Sequence, residues 1–435
     1  MIRRLLAVLF WSVLAAAFIG PGTVTTAASS GSRFGLSLLW ALVFSTLACW
    51  ALQEASARLT VVSGHSLGEA LRRRYPGGWS GFAVVFLVCG AVLVGCAAYE
   101  AGNILGGVAG AQLVLDGSPQ MLTLVSTGLA ALLLWFNGPR RVALFLSLAV
   151  AIMGLAFLLT AILVRPPLTE LLRGGLWPSL PAGSALLALG LVGTTVVPYN
   201  LFLGSGLAGG QDLGELRFGI AAAVLGGGVI SMGVMVVGGA LDGEFSFAGL
   251  AAVLGDRLGP GSRVLFAGGL FAAGLSSAVT APLAAAVTAR SLFAREDATE
   301  RWGDASWRYR AVWLAVLASG LFFGLSGLRP VPVILAAQAL NGVLLPVVAI
   351  FLLVAVNDKR LVGRAALNGV FSNTVLAVVV AVTIVLGVSG VARAGASALG
   401  RAAPSGGGVL VAGVVLGVAL AVPLTRVLRR GRAGR

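Results

Sequence analysis

Long apolar runs dominate this chain of 435 residues, and short polar loops separate them. A run of about 20 apolar residues is long enough to cross the hydrocarbon core of a bilayer as a helix. About twelve such runs can be placed, the last near residues 406 to 425. Hydrophobic residues make up 58% of the chain and charged residues only 10%, a balance typical of a membrane protein. The sequence therefore predicts an all-α polytopic membrane protein with about twelve transmembrane helices.

The basic residues predict the orientation of these helices. With the N-terminus placed inside, 22 of the 30 Lys and Arg residues fall on the cytoplasmic side, as the positive-inside rule requires. We therefore expect an integral protein of the cell membrane (plasma or inner) with both termini cytoplasmic. The basic tail from Arg426 to Arg435 is expected to lie near anionic lipid. A cleaved signal peptide over residues 1 to 20 is the alternative, and it would remove half of the first helix.

Charge and composition also exclude several classes of protein. A net charge of +15 suggests a nucleic-acid partner in a soluble chain, but here the charges lie in loops between spans, so no nucleic-acid binding is expected. One histidine, His65, and three cysteines inside apolar runs cannot form a His and Cys metal set. Because no nucleophile and base pair or phosphate loop can be assembled, we expect neither an enzyme nor a cofactor.

Two of the predicted helices, the first and the sixth, contain a proline near mid-membrane flanked by small or polar residues. The two segments are residues 19–23 and 193–200. Proline removes a backbone donor and glycine lowers the cost of non-helical dihedrals, so Pro21, Gly22 and Pro198 are expected to interrupt these helices. Unwound backbone at membrane depth is tolerated where it lines a cavity. The alternative is a pair of proline kinks in ordinary packing helices.

The positions of the two interruptions predict the domain organisation. They occupy equivalent places in two halves of five helices each, which is typical of inverted-repeat transporters with a binding site near the bilayer midplane. We expect a first repeat of helices 1–5 over residues 1–164 and a second, inverted repeat of helices 6–10 over residues 182–357. Helices 11 and 12 and the basic tail follow over residues 366–435.

Three stretches of the chain resemble a known family. They are residues 53–59 with their continuation through Leu67-Gly68-Glu69 and Arg74-Tyr75-Pro76, residues 273–280, and residues 357–363. These stretches are similar to those of the Nramp divalent-metal transporters. The resemblance implies a LeuT-type fold, a 5+5 inverted repeat with discontinuous helices 1 and 6. Fold-level likeness is a strong guide to architecture and a weak guide to substrate.

The metal site is where the chain departs from that family. The helix-1 motif of the family is Asp-Pro-Gly-Asn, and the matching residues here are Gly20-Pro21-Gly22-Thr23. The helix-6 motif is Met-Pro-His, and here it reads Val197-Pro198-Tyr199. A second helix-6 histidine of the family matches Gly204. The resemblance therefore implies a site without the family's carboxylate, thioether and imidazole ligands.

The resemblance also extends to the family's proton route. A helix-3 acid of that route matches Glu100, and a second acid is replaced by Asn103. Among the fifteen acidic residues, Glu100 is the one expected deep in the membrane, where ionisable groups are costly and usually functional. We regard Glu100 as a candidate for proton coupling. The alternative is a protonated glutamic acid that hydrogen-bonds a neighbouring helix.

The predicted substrate-binding residues are all uncharged. They are Gly20, Thr23, Thr194, Thr195, Val197, Tyr199, Asn200, Gln338 and Asn341. A dehydrated divalent cation needs anionic oxygen or a cage of many neutral oxygens, so no metal site is expected. Hydroxyls and amides instead predict a small neutral polar organic solute, a sugar or polyol or an amino acid, carried by alternating access. A Mn²⁺ or Mg²⁺ transporter of the Nramp type, a monovalent-cation transporter and a non-transporting membrane sensor are the alternatives, and the oligomeric state is left open.

Overall fold

The computed structural model describes residues 19–136, 140–294, 301–363 and 367–398, and most of them are helical. The helices are α1 (Pro21–Phe34), α2 (Leu39–Ser63), α3 (Leu67–Arg74), α4 (Gly78–Ala111), α5 (Pro119–Trp135), α6 (Arg140–Val164), α7 (Leu168–Leu176), α8 (Ala185–Thr195), α9 (Pro198–Leu207), α10 (Leu213–Gly238), α11 (Phe247–Leu258), α12 (Gly261–Phe293), α13 (Trp307–Leu325), α14 (Pro330–Ala355), α15 (Lys359–Val362) and α16 (Val370–Ala398). The expected helix 12, the N-terminal half of helix 1 and both termini lie outside the described residues.

Within these ranges, 8 helical segments are long and apolar enough to cross a membrane, judged by length and composition. The sixth of the expected spans is formed by α8 and α9 together. Adding α1, α2 and the shorter apolar helix α5 accounts for expected spans 1 to 11. The prediction of an all-α polytopic membrane protein is confirmed.

Contacts near the two ends of α2 distinguish the two ends of the bundle. At one end of the bundle, Arg74 forms an ion pair with Asp358 across 2.9 Å, and Arg58 donates to Oδ1 of Asn368 at 2.5 Å. We call this end the basic side. At the other end, Nε1 of Trp40 donates to the carbonyl oxygen of Ser179 at 2.8 Å. The assignment of the basic side to the cytoplasm stays a prediction.

Short helices lie in several of the segments that connect the spans. On the basic side, α3 begins with a capping box in which Ser66 and Glu69 satisfy each other's backbone N–H groups. Its Leu67 and Leu71 are buried against the bundle. At the opposite end, α7 and α11 connect expected spans 5 to 6 and 7 to 8. These helices are too short to span a bilayer, so they cover the ends of the bundle instead.

The centre of the bundle is α4, which packs closely against α12, α13 and α14. Glycine allows α4 and α12 to approach closely, because a Cβ placed on Gly274 of α12 would lie 2.6 Å from Cα of Gly107 in α4. Small residues allow helix backbones to approach in this way within membranes. Because α4 is central, its side chains reach both α1 and the sixth span. The division into repeats over residues 1–164 and 182–357 stays a prediction.

Candidate substrate site at the interrupted helices

The sixth span is interrupted two residues before Pro198. Helix α8 ends at Thr195, and α9 begins at Pro198. Between them, Val196 (φ −102°, ψ 84°) and Val197 (φ −84°, ψ 118°) leave the helical conformation. Proline disfavours a helical conformation in the residue before it, and it lacks the N–H group that would continue the backbone hydrogen bonds of the helix. Both valines are buried, so the unwound backbone lies inside the protein.

The described part of the first span starts at its own proline. Helix α1 begins at Pro21, and Gly20 holds the N-cap position in an extended conformation (φ −82°, ψ 175°) without a side-chain cap. Proline suits the first turn because its missing N–H would have no partner there. Gly20, Pro21 and Gly22 are all buried.

A hydroxyl pair joins α1 to the interrupted sixth span. Oγ1 of Thr23 in α1 lies 2.9 Å from Oγ1 of Thr194 in α8. The carboxamide of Gln338 in α14 lies against the same turn of α1, because a Cβ added to Gly22 would overlap its Cδ atom at 2.6 Å. On the other side, a Cβ on Gly190 of α8 would lie 3.6 Å from Cβ of Gln338. The structure therefore brings Thr23, Thr194 and Gln338 together.

Tyr99 of α4 completes this group, and the sequence analysis missed it. Its hydroxyl donates to the carbonyl oxygens of Gly193 at 3.2 Å and Thr194 at 3.1 Å. These carbonyls lie in the last turn of α8, where intrahelical donors run out. The ring of Tyr99 meets that of Tyr199 edge to face, with centroids 5.5 Å apart. A tyrosine inside an apolar helix is the sequence feature that points to Tyr99, because a buried hydroxyl needs a hydrogen-bond acceptor.

Four residues of the predicted set have buried polar atoms with no hydrogen-bond partner within the described structure. These atoms are Oη of Tyr199, Oδ1 and Nδ2 of Asn200, Oε1 of Gln338 and Oδ1 of Asn341. Nearly all buried polar groups in folded proteins are paired, because an unpaired group retains its desolvation cost. The unpartnered atoms on α9 and α14 are therefore candidates for hydrogen bonds to a ligand.

Two other members of the predicted set contribute less. Oγ1 of Thr195 donates to the carbonyl oxygen of Leu191 at 2.8 Å, so its hydrogen is committed to its own helix. Val197 is a buried apolar residue that can offer a ligand only its backbone polar groups. Asn341 is partly committed, since its Nδ2 donates to the carbonyl oxygen of Ala337 at 3.1 Å.

Glu100 lies beside this group, on another face of α4. Its Oε2 accepts from Nδ2 of Asn103 at 3.5 Å, and its Oε1 has no partner in the described residues. A Cβ on Gly320 of α13 would lie 2.8 Å from Cγ of Glu100, so the acid packs between α4 and α13. Across the described ranges, no group of three or more His, Cys, Asp and Glu side chains is placed to hold a metal ion.

The unwound sixth span and the buried start of α1 meet inside a helical membrane bundle, an arrangement typical of LeuT-type transporters. Solved structures share the fold: a mutant of the Eremococcus coleocola manganese transporter matches with a TM-score of 0.70 at 19% identity, covering 97% of this chain and 93% of that one. MhsT in complex with L-phenylalanine matches with a TM-score of 0.59 at 16% identity, covering 87% of this chain and 98% of that one.

The chain belongs to the Nramp family. The family profile described as natural resistance-associated macrophage protein-like matches residues 12–393. The divalent metal cation transporter MntH of Deinococcus radiodurans is 33% identical over 305 residues, which are 65% of this chain and 68% of that protein. MntH of Acidiphilium cryptum is 28% identical over 400 residues, 87% of each chain. The resemblance seen in the sequence is confirmed, and the protein is a membrane transporter rather than an enzyme.

Proposed function

We propose that this Nramp-family transporter carries a small uncharged polar solute, of sugar, polyol or amino-acid type, by alternating access. The observation that supports the proposal is the group of unpartnered polar atoms on Tyr199, Asn200, Gln338 and Asn341, all of them in uncharged side chains. A neutral solute with several hydroxyl or amide groups can pair with such donors and acceptors. The edge-to-face rings of Tyr99 and Tyr199 add an apolar surface beside them.

The same group is poorly suited to a dehydrated metal ion. Transfer of a bare charge into a low-dielectric interior costs tens of kcal/mol by a Born estimate unless anionic ligands compensate. Gly20, Val197 and Tyr199 offer no carboxylate, thioether or imidazole. The carbonyl oxygens of Gly193 and Thr194, which unwound helices use for cations, already accept the hydroxyl of Tyr99.

Divalent-cation transport is the second candidate, and the comparisons favour it. The curated relatives are named divalent metal cation transporters. Three of the unpartnered atoms are amide oxygens, on Asn200, Gln338 and Asn341, and neutral oxygens are ligands that Mg²⁺ accepts while it keeps several waters. In this alternative the ion would be held partly hydrated, with weaker binding than a carboxylate site provides.

A ligand panel separates the two candidates. The thermal stability of the detergent-purified protein is measured against Mn²⁺, Mg²⁺, monosaccharides, polyols and amino acids, because a ligand that binds only the folded state raises its stability. We expect a saturable increase with one class of neutral solute, about 2.7 kcal/mol at 100 times its dissociation constant, and none with Mn²⁺. A saturable increase with Mn²⁺ or Mg²⁺ alone would overturn the neutral-solute proposal in favour of the second candidate.

We further propose that Glu100 couples transport to protons. A buried carboxyl that forms no ion pair within the described residues can exchange a proton as the bundle rearranges. In proteoliposomes, uptake by Glu100→Gln is expected to lose its dependence on a pH gradient. The matched control is Glu170→Gln, an exposed acid of α7 at the far end of the bundle. Unchanged pH dependence in Glu100→Gln would rule out this role, whatever the substrate is.

A further inference from the structure

A cleft of about 750 Å³ opens on the basic side, away from the interrupted helices. It is formed by the end of α3, the start of α4 and the end of α12. Its lining includes the cationic Arg72 and Arg73 and the apolar Phe82, Val85 and Leu292. We call it the Arg72 cleft. Its volume lies within the range of small-molecule sites, and its lining combines cationic and apolar side chains.

The guanidinium of Arg72 lines this cleft and the neighbouring cavity beside Glu69 and Arg290, and it has an unsatisfied donor among the described residues. Its Nη1 is buried and has no hydrogen-bond partner within the described residues, and no ion pair joins Arg72 to a described carboxylate. The neighbouring Glu69 is engaged, because its Oε2 accepts from the backbone N–H of Ser66 at 2.8 Å. Arg290, the next basic residue on α12, forms an ion pair with Asp304 at 2.5 Å. A buried donor of a cationic group is costly unless an anion pairs with it.

An exposed aromatic ladder continues from the cleft along α4. Trp79, Phe82 and Phe86 are 85%, 62% and 68% exposed. Adjacent rings of the ladder contact each other, with centroids 6.0 Å apart for Trp79 and Phe82 and 5.9 Å apart for Phe82 and Phe86. The hydrophobic span that contains Phe82 and Phe86 starts at Gly81. Tryptophan is enriched at the membrane interface, so the ladder runs from headgroup level towards the acyl chains.

We propose that the Arg72 cleft binds an anionic phospholipid. The phosphate lies at the guanidinium groups of Arg72 and Arg73, and an acyl chain follows Trp79, Phe82 and Phe86. Guanidinium presents paired N–H donors that match phosphate oxygens, and it is more weakly hydrated than an ammonium group. The cleft combines such cationic groups with apolar side chains at the right depth for a lipid. This proposal is independent of the substrate that the transporter carries.

Native mass spectrometry of the full-length protein tests the proposal, with phosphatidylglycerol and phosphatidylcholine as probes. We expect phosphatidylglycerol to bind more tightly to the wild type. The double variant Arg72→Gln with Arg73→Gln is expected to weaken its binding by about 25-fold, as the loss of two arginines near a lipid phosphate should. The matched control is Arg308→Gln, an exposed arginine on the same side that does not line the cleft, which should change the affinity by less than about twofold.

Two further measurements test the role of the guanidinium group and the need for acyl chains. Arg72→Lys retains the charge but loses the forked donor, so it should fold like the wild type and bind phosphatidylglycerol more weakly. Glycerol phosphate has the headgroup chemistry without acyl chains, and it should not displace the lipid. Equal affinity for the two lipids, or an equal loss in Arg308→Gln, would overturn the proposal. Displacement by glycerol phosphate at equimolar concentration would show an anion site that does not recognise lipid, which also overturns it.

Discussion

Gly193→Ala is expected to abolish transport and to lower the thermal stability of the purified protein. A Cβ at this position in the last turn of α8 would lie 2.5 Å from the backbone nitrogen of Gly342 and would overlap the carbonyl oxygen of Gln338. Both obstacles are backbone atoms of α14, so no side-chain rotation relieves the overlap. Separation of α8 from α14 would also displace Thr194, which pairs with Thr23 across 2.9 Å. Overpacking of this kind typically costs about 1 to 3 kcal/mol.

The matched control for this variant is Gly226→Ala in α10. A Cβ there has no neighbour within 4 Å, and alanine favours a helix over glycine by about 1 kcal/mol. We expect unchanged uptake and equal or slightly higher stability. Uptake into proteoliposomes and thermal unfolding in detergent are the two measurements. Wild-type uptake and stability in Gly193→Ala would mean that α8 and α14 do not approach this closely during transport.

Gln338→Leu is expected to weaken ligand binding by about 100-fold, or about 2.7 kcal/mol. The carboxamide lies against Gly22 of α1 and close to Gly190 of α8, and its Oε1 has no hydrogen-bond partner within the described residues. Leucine keeps a similar volume and removes this polar group. Because an unpaired buried acceptor destabilises the folded state, the free energy of unfolding without ligand should stay constant or rise by about 1 kcal/mol. A substitution that weakens ligand binding while it raises the stability of the folded state indicates that the polar group serves function.

Gln53→Leu in α2 serves as the comparison for Gln338→Leu. Gln53 is also buried, but it lies outside the candidate site. This variant should keep its ligand affinity. The two variants are compared by ligand-dependent thermal unfolding at several ligand concentrations. If Gln338→Leu binds the ligand as tightly as the wild type, the carboxamide is a packing residue and the site is misplaced.

Much of the fold follows from the sequence because its determinants are local. The lengths of the apolar runs set the spans, and Pro21 and Pro198 lie at the first residues of α1 and α9. A proline limits the backbone of its own residue and of the one before it, so its effect can be read without a structure. The short helices α3, α7 and α11 lie in segments between the apolar runs, and eight to twelve residues of mixed polarity give no transmembrane signal.

The candidate site was only partly predictable because its contacts depend on how the helices pack. Tyr99 contacts the carbonyls of Gly193 and Thr194 from 94 and 95 residues away in sequence. The close approach of Gln338 to Gly22 is likewise a property of the relative positions of α14 and α1. Thr195 looked equivalent to Thr194 in the sequence, yet its hydroxyl bonds its own helix. Residue type identified the polar set, whereas rotation of each helix about its axis decides which members face one another.

We expect the uncharged site in this Nramp scaffold to select an uncharged solute. The direct test is the concentration dependence of uptake, with Mn²⁺ and the neutral solute that stabilises the protein compared in one batch of proteoliposomes. We expect saturable uptake of the neutral solute that Gln338→Leu weakens, and Mn²⁺ uptake no faster than in protein-free vesicles. Saturable Mn²⁺ uptake that Gln338→Leu abolishes, without uptake of any neutral solute, would contradict this expectation.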